Sequence, residues 1–288
     1  MLGGTARVAG RQDAPPRAAS AELATERAWW TWRWRGWAPW RIDTTVLVVA
    51  ALTIVVDVAS AWLGLSIGHL GRIALSPALP LAVLLAARIG ASALGCTRSG
   101  MRAWRELAVG LGALLATSVV VYSVDLGQPG EAAGLVIGAV GEELVYRLAV
   151  LVLVGALAAR CAGRDWRRMD RWGNGTGTAA LLGGAVVFSA LPGHVVQMRG
   201  PASIVSFASL AVVLGWVVLR TGAIWPAIVA HAVLNLTTIT VFTIDAPSGL
   251  RLGLVAGTLI ALVVGADVAG RRTGRLRPVP SLIDLTAT

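Results

Sequence analysis

Eight nearly unbroken apolar stretches run along the chain, at about 44–66, 74–94, 106–124, 134–159, 178–197, 203–219, 222–243 and 250–269, separated by short segments that carry arginine, proline and glycine. About 20 apolar residues in α-helical form cross the ~30 Å hydrocarbon core of a bilayer, so each stretch predicts a membrane-spanning helix. The fifth is interrupted by Gly183, Gly184, Pro192 and Gly193, and only Arg220 and Thr221 separate the sixth from the seventh. The pattern predicts an all-α, polytopic transmembrane helical bundle of about eight spans.

Composition agrees with that class. A hydrophobic fraction of 56%, a charged fraction of 14% and a mean hydropathy of +0.72 exceed what the surface of a soluble domain of 288 residues tolerates. The basic residues are all arginine, and their placement predicts an orientation. With the N-terminus in the cytoplasm, arginines crowd the N-terminal tail, the connections near 88–105 and 160–171, and the C-terminal group Arg271, Arg272, Arg275 and Arg277. The outer connections then hold only Arg72, Arg199 and Arg251. The positive-inside rule requires this asymmetry, and it holds for an even number of spans with both termini cytoplasmic. The net charge of +10 therefore reports membrane orientation, and no nucleic-acid partner is expected from it.

Three segments follow. Residues 1–41 form a cytoplasmic N-terminal region, 42–270 the membrane-embedded helical domain, and 271–288 a short basic cytoplasmic tail. The first 25 residues, rich in Ala, Pro, Gly and Arg, are expected to be disordered and contain no apolar h-region of a signal peptide. From Arg27 to Arg41 the arginines interleave with Trp29, Trp30, Trp32, Trp34, Trp37 and Trp40. Indole suits the membrane interface and arginine meets anionic headgroups, so membrane lipids are the expected partners of this segment. Cys96 and Cys161 lie beside arginine-rich cytoplasmic connections, where a disulfide is not expected to persist.

Against this apolar background, Gly141-Glu142-Glu143-Leu144-Val145-Tyr146-Arg147 is costly. One charged side chain at bilayer depth is penalised by roughly 2.5 to 3.5 kcal/mol on insertion scales, which makes such residues functional candidates by default. On an α-helix, adjacent residues diverge by about 100°, so Glu142 and Glu143 face different directions. Arg147 lies four residues beyond Glu143, the order and spacing of a neutralising pair. That leaves Glu142 without a partner on its own helix, and a carboxylate in a partly dry cavity suits general acid–base work. Tyr146 is expected on the same face as Glu142.

A second constellation is His231-Ala232-Val233-Leu234-Asn235, preceded by Trp225-Pro226. A spacing of four stacks imidazole over carboxamide on one side of a helix. The pair suits donation to a developing oxyanion, metal ligation or hydrogen bonding between helices. The third is Phe188-Ser189-Ala190-Leu191-Pro192-Gly193-His194, where Pro192 and Gly193 allow a kink that would carry His194 inward from the outer end of its helix. Asp57, in the first stretch, is expected to be a hydrogen-bond partner facing the bundle.

In these residues the chain resembles the CPBP intramembrane protease family, which includes type II CAAX prenyl endopeptidases and Abi-type membrane proteins. The family pattern is EExxxR, FxxxH and HxxxN or HxxxD. Glu142, Glu143 and Arg147 match the first, and His231 with Asn235 match the third. In the second, Ala190 stands where the aromatic residue belongs and Phe188 comes two residues early. The resemblance covers roughly residues 74–243. It implies hydrolysis of a peptide bond inside the membrane, with Glu142 and His194 preparing a water and His231 with Asn235 holding the oxyanion, supported by Glu143 and Arg147. Glu142, His194 and His231 are also candidate ligands for a divalent metal such as zinc, although no HExxH helix is present.

The expected protein is thus a membrane-embedded endopeptidase acting on a peptide or membrane-protein substrate. The alternatives are a non-catalytic scaffold, immunity or regulatory protein of the same family and a small transporter. An arginine-rich, lysine-free composition points to a bacterial plasma membrane.

Overall fold

The computed structural model describes residues 32–34, 38, 40–71, 73–90, 95, 105–125, 127–198, 200–243, 248–272 and 276–278. The chain divides into two units. The first is made of the two chain ends, Met1–Arg33 and Leu276–Thr288, and holds β4 (Leu276–Pro278) and all but the last residue of its partner strand β1 (Trp32–Trp34). The second, from Trp34 to Arg275, is helical and contains everything described below. Most of the Arg/Trp-rich segment and of the C-terminal tail lies outside the described residues.

The second unit opens with α1 (Thr44–Leu63), started by Asp43, whose side chain accepts from the Val46 amide at 2.8 Å, and ended by Gly64 in the left-handed conformation. The buried stripe of α1 carries Val46, Ala50, Thr53, Asp57 and Ser60, whereas Val48, Leu52 and Val55 are exposed. Polar groups inside and branched apolar groups outside are the inverse of a soluble helix, and they suit a lipid surround.

A hairpin follows, β2 (Gly68–Leu70) antiparallel to β3 (Ile73–Leu75), and then α2 (Leu79–Ile89). The apolar stretch at 74–94 is therefore a helix only from Leu79 onward. Its first residues close the hairpin, and Pro80 sits in the first turn of α2, where its missing amide costs nothing. The hairpin lies on α4 (Pro129–Glu142). It approaches so closely that a Cβ on Gly134 would collide with the Leu70 carbonyl. Only glycine permits that contact.

After α3 (Arg105–Asp125), the long stretch from Pro129 to Cys161 is one continuous rod in three parts: α4, a π-helical segment Glu143–Val150, and α5 (Leu151–Cys161). All eight residues of the π segment are buried. It packs against α1, α2, α6 (Asn174–Ser189) and α8 (Pro201–Thr221), which makes it the hub of the bundle. The apolar stretch at 178–197 is broken: α6 ends at Ser189, Leu191 is extended, and a short α7 (Pro192–Gln197) starts on Pro192. The break follows from chemistry, since the proline has no backbone N–H to donate and disfavours the helical conformation of the residue before it.

Gly222, left-handed at φ 68°, ends α8, and α9 (Trp225–Thr243) and α10 (Ser248–Arg272) complete the unit. Trp40, from the Arg/Trp-rich segment, is buried, with its indole Nε1 donating to the Gly222 carbonyl at 3.2 Å. Among the described residues, Thr44–Leu63, Pro129–Cys161 and Ser203–Thr221 are long and apolar enough to cross a membrane, and Leu79–Ile89, Ala108–Ser123 and Val255–Val268 are shorter apolar helices. The chain is a helical membrane bundle.

Candidate active site

The polar residues singled out on three separate stretches of sequence meet at the π segment. Glu142 is the last residue of α4 and Glu143 the first of the π turn, where hydrogen bonds lengthen to the fifth residue along. The two carboxylates diverge, and His231 on α9 bridges them. Its Nδ1 lies 2.8 Å from Glu143 Oε1, and its Nε2 lies 3.8 Å from Glu142 Oε2. Glu143 is fully buried and pairs with Arg147, whose Nε is 3.5 Å from Oε2. The expected Glu143–Arg147 pair is present, but Glu143 has a second partner in His231 that the spacing did not reveal. That contact joins helices 88 residues apart in sequence.

His194 reaches the same point from the other side. The helix break after Ser189 carries it inward, buried, with Nε2 3.8 Å from Glu142 Oε2. Its Nδ1 is 2.6 Å from the Phe188 carbonyl. A carbonyl only accepts, so Nδ1 holds the proton and, in the neutral ring, Nε2 presents a lone pair toward Glu142. Glu142 Oε2 thus stands equidistant from the Nε2 atoms of two imidazoles.

Phe188, two residues before the position where the motif places an aromatic residue, packs on His194 nonetheless. Its ring centroid lies 4.2 Å from that of His194, and the Arg147 guanidinium sits over the ring at 4.6 Å. Tyr146 and His231 meet it edge-on, and Phe207 lies near it with ring centroids 6.3 Å apart. Because the chain leaves the helix after Ser189, an aromatic residue six positions before the histidine reaches it as a neighbour. Phe207 on α8 covers the opposite side of His194, with ring centroids 5.0 Å apart. The sequence offered no motif for Phe207.

Asn235 is half-buried one turn beyond His231. With Glu142, His194 and His231 it lines a cavity of about 420 Å³, otherwise walled mainly by Ile73, Leu135, Phe207, Leu210, Leu234 and Val255. The site is therefore an apolar recess with a few convergent polar groups.

Asp57 faces the bundle, as expected. It accepts from Ser76 Oγ at 2.6 Å and from the Tyr146 hydroxyl. Tyr146 therefore points to α1. His69 is exposed on the hairpin, and Cys161 is an exposed free thiol at the end of α5. Among the described residues no set of three His, Cys, Asp or Glu side chains is arranged to hold a metal ion. Glu142, His194 and His231 converge, but as they stand they do not form a ligand shell.

Fold and site together define a helical membrane protein whose polar centre, partly buried in the bundle, is built from two carboxylates, two imidazoles, a guanidinium and a carboxamide. Residues 132–237 match the family model described as type II CAAX prenyl endopeptidase Rce1-like, in agreement with the family that the three motifs resemble. No curated protein and no solved structure matches the chain.

Proposed function

We propose that the protein is a membrane-embedded, CAAX-type endopeptidase that hydrolyses a peptide bond with a water activated by Glu142 and His194. The observation that carries this reading is the position of Glu142 Oε2, 3.8 Å from Nε2 of both His194 and His231 at the head of the apolar cavity. Those separations exceed a direct hydrogen bond, and a water between the groups satisfies them. Such a water donates one proton toward the Glu142 carboxylate and the other toward the His194 lone pair, leaving its oxygen free to attack.

The reaction then balances without another participant. The water oxygen bonds to the scissile carbonyl carbon, Glu142 takes the proton, and the carbonyl oxygen becomes an oxyanion. Asn235 Nδ2 donates to that oxygen, and so does His231 Nε2 when the ring carries both protons, with Glu143 accepting from Nδ1 and Arg147 balancing Glu143. Collapse breaks the C–N bond, and Glu142 returns its proton to the leaving amine. The apolar wall suits an apolar side chain or lipid-modified segment of the substrate. The lysine-free composition favours a bacterial plasma membrane and, with it, a peptide or membrane-protein segment as substrate.

The test is product mass spectrometry on purified wild type and Glu142→Gln incubated with a library of membrane-spanning and prenylated peptides. We expect discrete cleavage products from wild type and none from a variant that melts at the same temperature. A folded Glu142→Gln that still cleaves would overturn the assignment. A folded wild type that cleaves nothing would favour a scaffold role.

A further inference from the structure

Glu142 lines two cavities. Besides the larger one, a second cavity of about 160 Å³ also has Glu142 in its lining, where Asp57, Ser76 and Tyr146 stand among mainly apolar neighbours such as Leu75, Leu79 and Val145. A water needs roughly 10–15 Å³ of such volume and two to four polar partners, so this space has room for several. The partners are present: the Asp57 and Glu142 carboxylates, the Ser76 hydroxyl and the Tyr146 hydroxyl. The chamber lies beside the hairpin end of α1, and Ala61 and Ala74 on its rim are exposed. Ile73, like Glu142, lines both cavities.

This matters because every turnover consumes a water at a moment when the apolar cavity is filled by substrate. A peptide lying against His194, His231 and Asn235 closes that side of Glu142 to solvent. From this geometry we infer that the smaller chamber is a water compartment that supplies Glu142 from behind the substrate, and that Asp57 is the positioning residue that holds together the polar groups on which that water rests. Asp57 does so by holding the Tyr146 hydroxyl on one side and Ser76 on the other. These contacts tie α1, the end of the hairpin and the π segment together around the chamber. Asp57 lies outside the residues 132–237 matched by the family model, so the compartment completes the site from a helix that the match does not include.

The inference rests on the proposed role of Glu142, and kinetics separate the two. Asp57→Asn can no longer accept from both hydroxyls, and Ala61→Phe places a ring in the chamber from an exposed position that burdens folding little. On a peptide cleaved by wild type, each variant is expected to lower kcat by about tenfold or more with KM unchanged within about twofold, because the substrate cavity is untouched. Asp57→Glu, which keeps both acceptors, is expected to recover part of the loss. Folded Asp57→Asn and Ala61→Phe with wild-type kcat, beside an inactive Glu142→Gln, would overturn the water compartment and leave the protease standing. An active Glu142→Gln would overturn both.

Discussion

Arg147 is among the largest fully buried side chains in the protein, and its charge is met by Glu143 Oε2 at 3.5 Å and by the face of Phe188 at 4.6 Å. Removing one member of a buried pair strands the other, which typically costs 3–5 kcal/mol, whereas removing both can be nearly neutral. Arg147→Met leaves Glu143 with His231 as its remaining partner, so it is expected to destabilise by up to about 3–5 kcal/mol, and Glu143→Gln in the same chain to restore a large part of that. Melting in detergent of the two single variants and the double variant measures the coupling; additive losses would refute a direct pair. The sequence made this pair legible because it is local, four residues apart. It did not make legible the bridge from His231 to both carboxylates, which depends on where α9 lies.

At the scale of elements, the loop between α5 and α6 docks on the lead-in to α1. The Ile42 amide donates to the Arg167 carbonyl at 2.9 Å and the Met169 amide to the Trp40 carbonyl at 3.2 Å. Within this loop Arg168 grips Asp170 through Nη2 at 2.7 Å and Nε at 3.2 Å. The hydrogen bonds from Arg168 hold the Asp170 carboxyl below the usual carboxylate range. A group whose folded pKa is depressed contributes stability above its unfolded value, about 3.9 for Asp, and loses it as the pH falls through the folded value. Asp170→Asn is thus expected to lower the melting temperature slightly at neutral pH, with the difference from wild type shrinking below about pH 4 and vanishing in stronger acid. A difference that persists there would point to packing as the cause. The pairing is half-exposed, so the effect is small. The other element-level feature, the π segment, has no signature in the apolar pattern. A run of buried residues reads the same in either helix type, and only the packing of α1, α2, α6 and α8 around it distinguishes them.

For the whole molecule, the arginine distribution predicts the side on which each connection lies. Cys161 ends α5 in the connection expected to be cytoplasmic, and its thiol is exposed. In a Cys96→Ser background, a membrane-impermeant maleimide is expected to label it in inverted vesicles and not in intact cells. Labelling of intact cells would reverse the orientation. The inside-out character of α1, with Asp57 inward and Leu52 outward, has the same origin as the arginine bias, a hydrocarbon surround that charges cannot enter. By itself the sequence determined the helical membrane class, the Glu143–Arg147 pair and the identity of the residues that would be costly in lipid, since each follows from local transfer energies and helical spacing. Only the tertiary structure decided that His194 reaches Glu142 through a broken helix, that Phe188 packs on His194 from six positions away, and that Asp57 meets Tyr146 of the π segment. Those contacts join segments tens of residues apart, and their geometry is set by how whole helices pack.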